Sequence, residues 1–192
     1  MKFKILLTVL VVLNLHSFEP LMSGKATEKA SDDYGQVDTG VWCNADYGTD
    51  FITPSFKCYN AKGKYKFKEF SLEDFICQSD YNSFRDNYFS DLYNLIIKEN
   101  PKLKDKAQKI ARERISKTQK ECINENSKEF KQDCKLTFSI SGAIHCTRSY
   151  YRSYTAKLAL MLYENDKKLF ERIYDEDYEY FKEVFEDTLK YV

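Results

Sequence analysis

Residues 122–146 read CINENSKEFKQDCKLTFSISGAIHC and contain three of the six cysteines, spaced at equal intervals of twelve residues. A basic helical pattern precedes this stretch, and an aromatic and then acidic pattern follows it. The other three cysteines, Cys43, Cys58 and Cys77, lie in the first half of the chain. A disulfide network that joins the two halves therefore has to use residues 122–146.

The even number of cysteines predicts three disulfides, provided that the protein folds in an oxidising compartment. Six cysteines allow fifteen pairings, and their spacing selects none of these. Each bridge in a small secreted domain contributes roughly 2–4 kcal/mol to the free energy of unfolding. The cysteines expected to pair are Cys43, Cys58, Cys77, Cys122, Cys134 and Cys146.

The N-terminus has the pattern of a secretory signal peptide. Two lysines, Lys2 and Lys4, precede an apolar run from Ile5 to Leu15, which is too short to span a bilayer. We predict a signal peptide over residues 1–26, with cleavage left open between residues 17 and 26. A flexible arm (27–40) and a single helical, disulfide-bonded domain (41–192) are expected to follow. No later apolar run predicts a transmembrane segment, so we expect a secreted, extracellular protein.

The composition and the spacing of apolar residues favour helices. Six glycines and three prolines in 192 residues are too few for a typical loop-rich all-β domain. Apolar residues three and four positions apart predict helices on both sides of Asn100. Helix N-caps are predicted at Ser71, at Ser79 or Asp80, and at Asn165-Asp166. The predicted fold class is mainly α: a disulfide-linked helical bundle with at most a small β-hairpin or strand element.

Two segments are candidates for that β element. Residues 60–63, Asn-Ala-Lys-Gly, are flanked by aromatic residues and predict a short hairpin, with an edge strand over residues 64–68. Residues 136–140 alternate apolar and polar side chains, which indicates a strand, although a helix is the competing interpretation. Gly142 is expected to end this segment, with a helix starting after it.

Charge is balanced overall but separated along the chain. Thirty basic and thirty acidic residues give a net charge of zero, which argues against a nucleic-acid partner. Residues 101–120 carry eight bases and two acids (8 − 2 = +6), and residues 164–187 carry four bases and ten acids (4 − 10 = −6). The basic helix is either a solvated face that complements the acidic segment or a patch for heparin-like glycans, anionic lipid or nucleic acid. Its core-facing stripe is predicted to include Leu103, Ala107, Ile110, Ala111 and Ile115.

The residues that usually carry catalysis are scarce. His145 is the one histidine outside the predicted signal peptide, and its neighbour Cys146 is assigned to a disulfide. The chain contains no Gly-x-Ser-x-Gly, Cys-x-x-Cys, phosphate-loop or dinucleotide motif. We therefore predict no catalytic residues, no metal site and no cofactor.

Recognition is the function that these residues favour. The chain has 15 tyrosines and 14 phenylalanines, more than a core of this size requires. We predict a monomeric, secreted, non-enzymatic interaction protein, effector- or toxin-like, that binds an extracellular or host-type protein. The alternative is a secreted carrier of a small apolar ligand in an aromatic-lined helical pocket. The predicted interaction surface comprises Lys109, Arg112, Lys117, Tyr150, Tyr151 and Tyr154.

Overall fold

Helices dominate the computed structural model of the protein, which describes residues 53–124 and 138–190. The predicted signal peptide and arm, with Cys43 and Cys134, lie outside these residues. The mainly α, disulfide-linked fold is confirmed. The α-helices are α1 (Leu72–Cys77), α2 (Asp80–Glu99), α3 (Lys104–Thr118), α4 (Phe138–Asn165), α5 (Lys167–Tyr174) and α6 (Tyr178–Lys190). Short 3₁₀ helices, Pro101–Leu103 and Asp175–Asp177, precede α3 and α6, and a π-helix, Gln119–Asn124, follows α3.

The predicted helix starts are confirmed by their capping hydrogen bonds. The Ser71 hydroxyl accepts from the backbone N–H of Asp74, and Ser79 does the same for Asn82. The Asp166 carboxylate accepts from the N–H of Leu169. Each cap satisfies a donor of the first helical turn that has no partner within the helix, so these boundaries follow from local sequence.

Helix α4 is the centre of the bundle, because every other α-helix named above packs against it. All four residues of 153–156 are buried, which shows that α4 is surrounded on every side at this level. Leu158 and Leu162 are fully buried and fill the core around it. Ala156 and Ala159 are also fully buried, and their small side chains let neighbouring helices approach closely.

Of the two interpretations of residues 136–140, the helix is confirmed from residue 138 onward and the strand is wrong there, whereas residues 136 and 137 lie outside the described part of the chain. The backbone there already belongs to α4, and Gly142 lies inside that helix instead of ending it. A glycine costs about 1 kcal/mol relative to alanine inside a helix. Packing along a helix of 28 residues outweighs that local cost.

The β element is smaller than predicted. Tyr59 and Tyr65 form one isolated antiparallel bridge around the predicted turn, so the hairpin is present. The edge strand predicted over residues 64–68 does not form. Gly63 adopts a φ of +71° in the turn, a conformation that glycine reaches without steric strain.

Two disulfides are described, Cys58–Cys77 and Cys122–Cys146. Both pairings were left open by the sequence. Each bridge joins residues within one half of the chain, so these two do not connect the halves. Within the described residues, the halves are joined by the contact between α2 and α4, through buried side chains such as Phe89 and Tyr151.

Removing the Cys122–Cys146 bridge by Cys122→Ala with Cys146→Ala is expected to lower the free energy of unfolding by about 3 kcal/mol. The bridge closes a loop with a sequence separation of 24, and its loss restores the conformational freedom of that loop in the unfolded chain. Urea denaturation of both proteins measures the difference. The variant for comparison is Cys58→Ala with Cys77→Ala, which removes the other described bridge and opens a loop of similar size, with a sequence separation of 19. Equal stability of the Cys122→Ala, Cys146→Ala protein and the wild type would contradict the prediction.

Candidate functional site

The exposed side of α3 and of the 3₁₀ turn before it carries a cluster of cations. We call this cluster the basic face. All its members are exposed, and two acidic residues, Asp105 and Glu113, are exposed beside them. Its residues are Lys102, Lys106, Lys109, Arg112, Lys117 and Lys120.

Of the three cations predicted to belong to the interaction surface, Lys109 and Arg112 form no ion pair with a described carboxylate. Lys117 differs, because its Nζ lies 3.3 Å from Oε1 of Glu121. The predicted surface residues on α3 therefore separate into two free cations and one that is partly neutralised. An exposed ion pair of this kind contributes little stability, but it lowers the local positive potential.

An exposed isoleucine lies beside these cations. Ile115 was predicted to face the core, but 51% of its surface is exposed. The core position is taken by its neighbour Arg114, of which only 8% is exposed. The assignment of Ile115 to the buried stripe is therefore wrong, and the basic face has an apolar residue at its edge.

The contact between the basic face and the acidic segment is a hydrogen bond from Lys106 to Asn165 and involves no described carboxylate. Both α3 and α6 pack on α4, and no ion pair within residues 53–124 and 138–190 joins the basic face to residues 164–187. Ion pairs of the acidic segment are local, such as Lys182 with Glu186, or reach α2, as between Arg172 and Glu99. The described residues therefore contain no ion pair that supports the interpretation in which the basic helix complements the acidic segment.

The tyrosine part of the predicted surface needs correction. Tyr151 and Tyr154 are only 1% and 3% exposed, so their rings belong to the interior. Tyr150 is half-buried, and its ring stacks on that of Tyr154 with centroids 6.2 Å apart. Helix α4 is too enclosed to present successive tyrosines to solvent.

Tyr150 connects α4 to the π-helix through Glu121. The Tyr150 hydroxyl donates a hydrogen bond to the Glu121 carboxylate. This bond, together with the nearby Lys117 ammonium, lowers the pKa of Glu121. For Tyr154, burial raises the pKa to about 12, with a further contribution from the negative charge of Glu113. Tyr154 is therefore a neutral hydrogen-bonding group at physiological pH.

A buried polar cluster lies where α2, α3 and α4 meet. The Asp86 carboxylate accepts from the Tyr151 hydroxyl (2.7 Å) and from the backbone N–H of Ser55 (2.8 Å). Its Oδ1 is 3.6 Å from Nη1 of Arg114. The guanidinium of Arg114 lies between two rings, with its carbon 4.4 Å from the centroid of Phe89 and 4.0 Å from that of Tyr151.

This cluster has a structural role. Burial raises the pKa of Tyr151 well above its usual value, which keeps its hydroxyl protonated as a donor to Asp86. The cation of Arg114 is held by a carboxylate and by the faces of two rings. The cluster fixes α3 against α2 and α4, so that the opposite side of α3 carries the basic face.

Sequence reasoning missed this cluster because it counted Arg114 among the solvated bases. One signal was available: Arg114 follows Ala107 by seven residues and Ile110 by four, which places it on the buried stripe. His145 is exposed, and Cys146 is oxidised in a disulfide, as predicted. Within the described residues no group of three or more histidine, cysteine, aspartate or glutamate side chains is arranged to hold a metal ion.

None of the described helices is both long enough and apolar enough to cross a membrane. The chain matches no protein-family model, and it matches no curated protein and no solved structure.

Proposed function

We propose that this is a secreted, non-enzymatic interaction protein, effector- or toxin-like, that binds an extracellular or host-type protein through the basic face of α3. The observation that supports this proposal is the combination of Lys109 and Arg112, which pair with no described carboxylate, with the exposed Ile115. Protein interfaces combine an apolar contact with a polar, charged rim. Arginine is enriched among the residues that contribute most to binding energy.

The disulfides and the signal-peptide pattern support an extracellular site of action. Disulfides persist in oxidising compartments, and two are described in this chain. The carrier alternative expected tyrosine rings to line a ligand cavity. Instead, the ring of Tyr151 contacts the guanidinium of Arg114 and the ring of Phe89. We therefore favour protein binding over ligand transport.

A photo-crosslinking residue at position 115 tests where the partner binds. Replacing Ile115 by benzoylphenylalanine is expected to give protein adducts after irradiation in extracellular fluid or on target cells. The control places the same residue at Tyr180, an aromatic on α6 that is 64% exposed. Adducts specific to position 115 support the basic face. The same adducts from both positions, or adducts from position 180 alone, would contradict the proposal.

Charge reversal of Lys109 and Arg112 is expected to slow association with the crosslinked partner by about tenfold at low salt and to weaken its salt dependence. The reason is the loss of electrostatic steering, which raises association rates by roughly 10 to 10³-fold. Stopped-flow measurements over a range of NaCl concentrations test the variant Lys109→Glu, Arg112→Glu. Lys117 is left unchanged because it pairs with Glu121.

The matched control for this variant is Lys98→Glu with Lys168→Glu. These two lysines are exposed and lie at the end of α2 and in α5. The change in net charge is the same, so a global charge effect would slow both variants equally. Equal slowing would show that the basic face has no special role in binding.

A further inference from the structure

A second cationic surface lies on the hairpin near the start of the described chain, separate from the basic face. We call residues 55–68 the basic hairpin. It contains no aspartate or glutamate. All its lysines are exposed, and none forms an ion pair with a described carboxylate. These lysines are Lys57, Lys62, Lys64, Lys66 and Lys68.

The turn of the basic hairpin is ordered by its own backbone and by one side chain. The N–H of Asn60 donates to the carbonyl of Lys64 (2.9 Å), and the N–H of Gly63 donates to the carbonyl of Asn60 (3.0 Å). The side-chain oxygen of Asn60 also accepts from the N–H groups of Lys62 and Lys64. Asparagine closes turns in this way, which fixes the backbone that carries the lysines.

The base of the hairpin is fastened to α1 and α2. Cys58 is bonded to Cys77 at the end of α1. The Tyr65 hydroxyl donates to Oδ1 of Asp74 at 2.6 Å. Ser55 donates to Asp86 on α2 through both its N–H and its hydroxyl. The lysines are therefore held on a preorganised platform, which reduces the entropy lost when a ligand binds.

The aromatic residues of the hairpin mostly pack on one another. The ring centroids of Phe56 and Phe67 are 5.4 Å apart, and those of Tyr65 and Phe67 are 6.1 Å apart. Tyr65 and Phe67 are half-buried, whereas the lysines that alternate with them are exposed. The ring of Tyr59 at the turn also packs on that of Tyr65, with centroids 5.3 Å apart, but 52% of the surface of Tyr59 stays exposed, the most of the four aromatic residues. The surface of the hairpin is therefore cationic, with a single accessible aromatic ring.

This surface fits one class of polyanion better than the others. Insertion into a bilayer requires several apolar side chains free to enter it, but the four rings of the hairpin pack on one another. Single-stranded nucleic acid is bound by stacking successive bases on several exposed rings, and only Tyr59 is available for that. Binding of a sulfated glycan requires closely spaced cations on the protein. One aromatic ring that packs against a sugar face strengthens this binding. Lysine-rich clusters are typical of such heparin-like sites.

We infer that the basic hairpin is a binding site for a linear sulfated glycan, independent of the protein-binding site proposed on α3. In this site the exposed lysines contact sulfate and carboxylate groups. The ring of Tyr59 packs against a pyranose face. Binding would hold the secreted protein at cell surfaces or in extracellular matrix, where such glycans are abundant.

The test measures binding of a size-defined heparin oligosaccharide to the whole protein by titration calorimetry at several NaCl concentrations. The variant is Lys64→Ala with Lys68→Ala, because Lys66 donates to the carbonyl of Lys57 and supports the hairpin. We expect its affinity at low salt to fall by about tenfold. The slope of log K against log salt should decrease by roughly two, about one for each cation removed, as in counterion release from nucleic acid. Tyr59→Ala is expected to weaken binding without changing this slope.

Three comparisons make the outcome decisive. Lys98→Ala with Lys168→Ala removes two exposed lysines elsewhere and is expected to bind like the wild type. A desulfated oligosaccharide is expected not to bind. Lys109→Ala with Arg112→Ala removes two cations of the basic face and is expected to leave heparin affinity unchanged.

Several results would overturn the inference. One is wild-type affinity in Lys64→Ala, Lys68→Ala. Another is loss of heparin binding in the basic-face variant instead, which would move the glycan to α3. Stronger binding to phosphatidylserine vesicles or to single-stranded RNA than to heparin would assign the hairpin to a different polyanion. None of these results depends on whether α3 binds a protein, so the two proposals fail separately.

Discussion

Replacing Asp86 by alanine is expected to lower the free energy of unfolding by about 3–5 kcal/mol, the usual cost of breaking a buried ion pair from one side. Asp86 is 3% exposed and its partner Arg114 is 8% exposed, so the substitution leaves a buried cation without a counter-charge. It also removes the acceptor for the Tyr151 hydroxyl. Each kcal/mol of lost stability lowers the melting temperature of a protein of this size by about 2–4 °C, so we expect a fall of roughly 10 °C. Thermal and urea denaturation measure both quantities.

Asp91→Ala is the matched control, since it removes the same group from an exposed position of the same helix. Its effect is expected to stay within about 0.5 kcal/mol. The double substitution Asp86→Leu, Arg114→Met replaces both charges by apolar side chains and is expected to recover most of the lost stability, as such replacements often do. A loss below 1 kcal/mol for Asp86→Ala would show that the pair does not fix α3 in the bundle.

Replacing Phe170 by alanine is expected to destabilise the protein by about 3–5 kcal/mol, the range for truncation of a buried aromatic side chain. Phe170 is fully buried on α5, and its ring lies 5.1 Å from that of Tyr163 on α4 and 4.6 Å from that of Tyr174. Tyr174 in turn packs against Phe181 and Phe185 of α6. The cavity left by Phe170→Ala therefore lies where α5 joins both α4 and α6. Urea denaturation measures the loss.

Tyr180→Ala is the control for this prediction, because Tyr180 is an aromatic of α6 that is 64% exposed. The centroid of its ring lies 5.8 Å from that of Phe181, at the edge of the group of rings that surrounds Tyr174. We expect a loss below about 1 kcal/mol. Comparable losses for Phe170→Ala and Tyr180→Ala would mean that α5 and α6 contribute little to the cooperative core.

Features that depend on a few neighbouring residues were predictable from the sequence. The caps at Ser71, Ser79 and Asp166 are hydrogen bonds between residues three positions apart. The few residues that predict each cap are therefore the same residues that form it. The hairpin around Gly63 is equally local. The helical class followed from apolar spacing, and the position of the basic residues on α3 followed from the same periodicity.

Features that depend on distant residues were not predictable. Ile115 and Arg114 are adjacent, and a rotation of 100° about the helix axis decides which of them is buried. Asp86 and Tyr151, which are 65 residues apart, form the site that accepts Arg114. The spacing within α3 places Arg114 on the buried stripe, but neither the carboxylate that accepts it nor the burial of Tyr151 can be read from α3 alone, because both depend on how α2 and α4 are placed.

The sequence by itself determined the helical class, the helix boundaries set by caps, the hairpin turn and the separation of charge along the chain. These features depend only on hydrogen bonds and on the spacing of side chains among residues a few positions apart. Tertiary structure alone decided the Cys58–Cys77 and Cys122–Cys146 pairings, the interior position of Tyr151 and Tyr154, and the exposure of Ile115 on a face where Lys109 and Arg112 pair with no described carboxylate. These properties arise from the surfaces that the helices bury against α4. Burial and electrostatic pairing are set by neighbours in space, and the order of residues in one segment does not specify those neighbours.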